Sequence, residues 1–387
     1  MSQGLHGLPE RVILVSSSVG AGHNQAAAAI MAALRRADPS ASVEFVDALR
    51  FVPAWHRLPY AGGYSLAVTR FRRLYGLGYR LMNRPSGPRR RWHERARLWL
   101  EWHALKRLRR FVLARRPALV MATHYLAMPA VGRLVRQGTP GVRLWAVVTD
   151  NEAHRFWYSE GVERWFVANE RVVGELGRWG VEPGRVTVSG IPVHPKWTEP
   201  LDRRGICRDW NLPADVPIVL LSGGAFFTVG PVAEMARAIL SNCDAHVVVL
   251  AGSNKRLLAQ LASLPEAGTR LTPVSFTDRV HELAEVACLM VTKAGGLTTT
   301  ECTAKGVAMV LTPPVPGQEA ANARWLARHG AAVVTRSPEE VPRRVAELLA
   351  SPERLGSLQA AARRLYRPAA RTIAEEIVRS LGRAGGR

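Results

Sequence analysis

Cysteine is scarce in this chain, acidic residues are outnumbered, and long apolar runs are missing. The four cysteines, Cys207, Cys243, Cys288 and Cys302, include no C-x-x-C pair. That excludes a disulfide framework and a cysteine-rich zinc site, and it predicts a reducing compartment. No apolar run approaches the ~18–20 residues that a spanning helix needs. The opening MSQGLHGLPERVILVSSS has neither a basic leader nor a long apolar core, so no signal peptide is expected. The expectation is a chain made and kept in the cytoplasm. No D-x-D element follows a predicted strand and no His/Asp cluster has ligand spacing, so neither a metal nor any other cofactor is expected. The pattern G-x-G-x-x-G is absent too, which disfavours a redox dinucleotide.

What is present is apolar residue in quantity and a surplus of base. Hydrophobic residues make up 47% and charged residues 22% of the 387, a folded composition rather than a disordered one. Against 31 Asp and Glu stand 53 Lys and Arg, a net charge of +22 that points to an anionic partner. The segment 50–116 holds 18 basic residues and two acidic ones, Glu94 and Glu101, so 16 of the 22 surplus charges lie in 67 residues. Its stretches FRRLYGLGYRLM and RLWLEWHALKRLRRFVL set apolar and aromatic residues at helical spacing against arginines. Arg72, Arg73 and Tyr75 typify the mixture. It suits a helix lying in anionic headgroups, where each basic residue adds roughly 1 kcal/mol. The same pattern fits a core-facing stripe with a solvated arginine face. Nucleic acid also accepts arginine with aromatics, but no nucleic-acid motif accompanies them, so nucleic acid is disfavoured as a partner.

Apolar strands alternate with helical stretches through both halves: RVILVSSS, ASVEFVDA, PALVMAT, VRLWAVVTD, RWFVAN and RVTVSG, then PIVLLSGG, AHVVVLAGSN, TRLTPVSF, CLMVTKAGG, VAMVLTPP and AAVVT. The alternation predicts an α/β fold of two doubly wound, Rossmann-like domains with parallel sheets. Residues 191–216, with four prolines and no sustained period, read as the connection. The first domain is expected at 1–196 and the second at 197–365, with an amphipathic helix near 366–387 returning to the first.

Three predicted strand ends are glycine-rich: Gly20-Ala21-Gly22-His23, Ser222-Gly223-Gly224-Ala225 and Ala294-Gly295-Gly296. Glycine lets backbone approach a ligand, and a following helix N-terminus favours an anion. Two such loops in the second half suit a diphosphate. Thr298-x-x-Glu301 has the spacing of a capping box. Alternatively, Glu301 accepts from both hydroxyls of a nucleotide ribose. His23 can serve as a general base, or it can order its loop or bind a phosphate. Asp150, at the end of VVTD, and His154 are second candidates; Asp150 can orient a base or the acceptor, or cap a turn.

The stretch VTKAGGLTTTECTAKGVAMVLTPPVPGQEAANARWL resembles the donor-site block of the GT-B glycosyltransferases. The likeness is to the group of monogalactosyldiacylglycerol synthases, processive diacylglycerol glucosyltransferases and the enzyme that makes lipid II. VGAGHNQAAAAI, VVTDNEAHRFWY, VTVSGIPVHPKW and SFTDRVHELAEVACLMVTKAGG keep family order over roughly 300 residues. The resemblance implies a GT-B fold with two domains facing a cleft and, on the second domain, a site for a UDP-sugar. There Glu301 would bind the ribose, and the backbone around Phe276, Thr277 and Arg279 the uracil. Gly223, Gly224 and Ala225, with Gly295, Gly296 and Thr298, would hold the diphosphate, and Lys293 could add charge. Gln318, Glu319 and Asn322 would contact the sugar. The diphosphate loop departs from the family in carrying Phe226 and Phe227. On the first domain, the resemblance implies His23 as base, with Asp150 beside it. Gly22, His154 and Trp157 would meet the acceptor. The implied reaction is inverting, metal-independent transfer of a hexose from UDP-glucose or UDP-galactose to diacylglycerol or a related lipid. It would take place on the inner face of the cell membrane. A polyprenyl-diphosphate precursor or a soluble acceptor are the alternatives within the class. A non-catalytic nucleotide-sugar or nucleic-acid binding protein is the alternative outside it.

Overall fold

The computed structural model describes residues 11–18, 20–57, 71–83, 88–223 and 230–382. The chain divides into two compact units, Met1–Pro195 with Arg367–Arg387, and Lys196–Tyr366.

The first unit is built on strands β1 (Arg11–Ser16), β2 (Ser42–Asp47), β3 (Leu119–Ala122), β4 (Arg143–Val147), β5 (Arg164–Val167) and β6 (Val186–Val188). They form a parallel sheet in the order β2-β1-β3-β4-β5-β6. Apolar residues run continuously along β1 because both faces are covered. Val12 and Leu14 join one buried cluster, Ile13 and Val15 the other, following the two-residue period of a strand. The first cluster is closed by helix α1 (Ala21–Ala37) together with the terminal helix. The opposite face is covered in part by α4 (Lys106–Arg115), through Leu108 and Val112, and by α5 (Met128–Arg136). Two further helices, α2 (Arg72–Met82) and α3 (Pro88–Ala104), belong to the basic segment.

The basic segment divides between two of the expected behaviours. On α4, Leu108 and Val112 are fully buried while Lys106, Arg107, Arg110 and Arg115 are exposed, so this helix has the core-facing stripe. On α2, Leu74, Leu77 and Leu81 remain 66%, 51% and 44% exposed. On α3, Leu98, Trp99 and Leu100 are exposed as well.

The second unit repeats the plan with β7 (Ile218–Ser222), β8 (His246–Gly252), β9 (Leu271–Ser275), β10 (Leu289–Thr292), β11 (Ala308–Leu311) and β12 (Ala332–Val334). Their parallel order is β12-β11-β10-β7-β8-β9. Helices α6 (Gly296–Lys305) and α7 (Gln318–Arg328) follow β10 and β11. The last helix, α8 (Ala369–Gly382), lies along α1 of the first unit, where Ile373 and Ile377 are fully buried. All twelve expected strands are present. In such sheets ligands bind past the carboxyl ends of the strands where the order reverses. Those points fall between β1 and β3 in the first unit and between β7 and β10 in the second.

Candidate functional site

The reversal point of the first unit carries His23. Its Nδ1 is 3.0 Å from the backbone oxygen of Thr123, past β3, and 2.9 Å from the Thr149 hydroxyl, past β4. The Thr123 hydroxyl donates back to the His23 carbonyl at 3.0 Å. A backbone carbonyl only accepts, so the proton of a neutral imidazole sits on Nδ1 and Nε2 keeps its lone pair. Burial lowers the His23 pKa to about 4, against the pull of the Thr123 carbonyl, so the ring is neutral at pH 7.

Two more histidines crowd this ring. His124 meets His23 edge-on at 4.6 Å and stacks on Tyr125 at 4.2 Å. His154 lies edge-on to Tyr125 and Tyr79. Burial, with help from the neighbouring rings, holds His124 well below the ordinary value, and burial lowers His154 to about 3. Their hydrogen bonds run the other way from that of His23. Nδ1 of His124 accepts from the Leu126 N–H at 3.1 Å, and Nδ1 of His154 accepts from the Phe156 N–H at 3.2 Å. Both therefore carry their proton on Nε2. Of the three rings, His23 alone offers a bare Nε2.

The other expected acceptor residues lie around this cluster. Gly22 sits in the first turn of α1, and Asp150 is half-buried one residue beyond Thr149. Trp157 is buried against Tyr125 and His154. Tyr75 is half-buried on α2, 6.3 Å from the ring of Tyr79, and Tyr79 approaches Glu152. Arg72 and Arg73 open α2, but their side chains lie outside the described residues.

In the second unit, α6 starts at Gly296 with Gly295 as its N-cap and no side-chain cap. The capping box is therefore not formed. Thr298 falls inside the first turn and Glu301 a turn further along. Thr299 and Thr300 bond back to the Gly295 and Gly296 carbonyls instead, at 2.8 and 2.7 Å. Glu301 is left with no capping duty. Burial pushes its pKa up to about 8, with Lys196 pulling in the opposite direction. Such a carboxyl gains most from ligand hydroxyls that donate to it.

Lys293 directly follows β10 and donates to Oε1 of Glu319 at 3.0 Å, while Oε2 of Glu319 accepts from the Val315 N–H at 3.2 Å. The two charges neutralise one another, so Glu319 does not stand as a naked anion against an acidic sugar. Gly317 precedes α7 with φ 112°, a conformation that favours glycine. Gln318 and Glu319 open that helix half-buried. Asn322 is fully buried, and its Nδ2 donates to the Ala294 carbonyl at 3.0 Å. Asn322 thus shapes the glycine turn from behind. Past β9, Phe276 is 79% exposed, and Thr277 accepts from the Arg279 N–H at 3.0 Å. The Arg279 side chain is held by Glu282. Gly223 directly follows β7 in a buried position; Gly224, Ala225, Phe226 and Phe227 lie outside the described residues. Among the described residues no group of three or more His, Cys, Asp or Glu is placed to hold a metal ion. Sequence reasoning missed Thr123, His124, Thr149 and Lys196. The first three terminate strands next to the reversal point, which is the signal that finds them.

Comparison with known proteins bears on what these arrangements belong to. Residues 23–193 match the monogalactosyldiacylglycerol (MGDG) synthase family, and residues 228–377 match the glycosyltransferase family 28 C-terminal domain. The processive diacylglycerol β-glucosyltransferase of Bacillus cereus is 32% identical over 271 residues, 70% of this chain and 69% of that protein. The chain belongs to this glycosyltransferase family. Relatives of the same name from Bacillus pumilus and Bacillus subtilis are each 33% identical, over 60% and 65% of this chain. Those matches span 61% and 65% of the relatives' own length. Among solved structures, MurG of Acinetobacter baumannii superposes with a TM-score of 0.59 at 19% identity, covering 96% of this chain and 100% of that one. A UDP-GlcNAc 2-epimerase of Neisseria meningitidis reaches 0.60 at 10% identity, with the same coverage. Likeness at that level shows the fold, which is GT-B; transferase and epimerase share it, and the family membership separates them.

Proposed function

We propose that the protein transfers a hexose from a UDP-sugar to diacylglycerol or a closely related lipid, with inversion at the anomeric carbon and without a metal. The observation that carries the reading is the protonation of the histidine cluster. His23 Nε2 is bare while its two neighbours are committed as donors. In the reaction the acceptor hydroxyl gives its proton to His23 Nε2 as its oxygen bonds to the anomeric carbon. The bond from that carbon to the diphosphate breaks, and UDP departs with the electron pair. The Nδ1–H bond to Thr123 holds the ring through the proton transfer. Asp150 would orient the acceptor.

On the second unit, Glu301 would accept from the ribose hydroxyls and the exposed Phe276 region would receive the uracil. Gly295, Gly296 and Thr298, at the start of α6, would face the diphosphate with Gly223 and its loop. Backbone N–H groups and the helix N-terminus suit that charge. Gln318 and Glu319, held by Lys293, would contact the sugar hydroxyls. The metal-free reading rests on the absence of D-x-D from the sequence. The relatives' name favours diacylglycerol as acceptor and glucose over galactose as the sugar.

The exposed leucines of α2 and the net charge of 50–116 support action at the cytoplasmic surface of an anionic membrane. Among the described residues no helix is long and apolar enough to cross one. The test is to incubate the protein with diacylglycerol in phosphatidylglycerol vesicles, supplying UDP-glucose and UDP-galactose separately, and to look for a hexosyl lipid by mass spectrometry. Product formation with one donor supports the reading and names the sugar. UDP binding without product removes diacylglycerol as acceptor. Failure to bind UDP overturns the transferase.

A further inference from the structure

On the first unit, next to the histidine cluster on the side of Phe156, α3, α5 and residues 155–160 line a cleft of about 540 Å³. Five arginines line it, Arg95, Arg97, Arg133, Arg136 and Arg155, against two carboxylates, Glu94 and Glu160. Three of the five are matched: Arg155 with Glu94 at 3.1 Å, Arg97 with Glu101 at 2.8 Å, and Arg136 with Glu160. Arg95 and Arg133 have no carboxylate within ion-pair distance among the described residues. Arg133 lies 4.2 Å from the ring centre of Trp102, which also lines the cleft. Arg109 lies 3.3 Å from that same ring and likewise lacks a carboxylate. Two like charges share one indole, and each raises the cost of the other. The Nε groups of Arg97 and Arg109 are buried with no acceptor among the described residues. Such buried donors are costly; an anion with several oxygens in the cleft would instead satisfy the unmatched guanidinium groups of Arg95 and Arg133.

The rim indicates what carries the anion. Leu98 and Trp99 line the cleft and are 41% and 61% exposed, and Leu100 follows on the same helix. An exposed leucine and an exposed tryptophan beside a basic cleft match the boundary between headgroup and acyl chain beyond a phosphate. We propose that this cleft binds the phosphodiester of a membrane phospholipid headgroup, held by Arg95 and Arg133 with Trp102 as platform. The proposal rests on the membrane-associated reading above and adds to it a discrete site, distinct from a diffuse attraction.

The test compares Arg95→Gln/Arg133→Gln with Lys106→Gln/Arg107→Gln. The second pair is exposed on α4, outside the cleft, and removes the same charge. Binding of the full chain to phosphatidylcholine vesicles, with and without phosphatidylglycerol, is measured by co-sedimentation. The unfolding midpoint and UDP binding check that each variant is folded. A specific site predicts at least about tenfold more loss for the cleft pair than for the control pair, because charge-assisted hydrogen bonds go with it. Equal losses overturn the proposal in favour of a diffuse field. Glycerol phosphate binding as tightly as the vesicles, or an RNA oligonucleotide binding in a cleft-dependent way, also overturns it. The readout is binding, so a chain that binds through the cleft yet glucosylates no lipid leaves this site standing while the transferase reading falls.

Discussion

Both units build a six-stranded parallel sheet, and their surfaces diverge. Of twelve large apolar side chains exposed among the described residues, ten lie between Trp55 and Leu113 of the first unit and one, Phe276, in the second. Charge follows the same division, since segment 50–116 holds 16 of the net +22 and leaves +6 for the other 320 residues. A shared architecture thus serves two chemistries. One unit exposes apolar and basic surface, the other a glycine turn at a helix N-terminus. The difference lies in what was added between β2 and β3, not in the sheets.

The division of labour can be broken most sharply at His23. His23→Ala is expected to lower the transfer rate by about 10²–10⁴-fold while UDP affinity stays unchanged. Rate assays beside calorimetric UDP titration check this, and a parallel loss of UDP binding would mean that the units do not divide the work. Next in size is the apolar surface. Leu74→Ser/Leu77→Ser/Leu81→Ser is expected to weaken vesicle binding by roughly 10–100-fold, each exposed leucine giving up part of the transfer energy it would gain in the bilayer. Vesicle flotation measures it, and activity on a soluble short-chain acceptor should persist.

The smallest effect separates the units by pH. Glu301 is raised from 4.5 to about 8, so its contribution to stability is complete below pH 4.5 and is lost as pH rises toward 8. His23 and His154 are lowered from 6.5 to about 4 and about 3, so theirs is complete above pH 6.5 and is lost as pH falls. Each group acts at no more than ~1.4 kcal/mol per pH unit. Thermal unfolding should show Glu301→Gln stabilising the ligand-free chain at pH 8 and leaving it nearly unchanged at pH 4, with the acid-side loss intact. A stabilisation of equal size at both pH values would remove the buried carboxylate from the account.

The strands were legible because a sheet covered on both faces writes itself as short unbroken apolar runs, of which VILV and LMV are examples. The glycine turns and His23 were legible as polar residues at strand ends. Other features were hidden by competition between local signals. Thr298-x-x-Glu301 spells a capping box, yet two preceding glycines start the helix earlier and free the carboxylate. Asn322 stands in a sugar-site motif and is buried behind the Ala294 turn. His124 sits in MATHYLAM with nothing to distinguish it from a core histidine, since only the spatial adjacency of β1 and β3 brings it against His23. The basic helices looked alike in sequence, and only packing revealed that α4 turns its leucine and valine inward while α2 leaves its leucines outside.

The terminal helix has a consequence for the order of events during synthesis. α8 leaves the ribosome only after the whole second unit, and it covers the face of the first unit's sheet through Ile373 and Ile377. Domains usually fold in the order they are made. Here the first unit to emerge is the last to be completed, and its open apolar face must wait through the whole translation of the second. A chain cut after the second unit would therefore fail in the half that was made first.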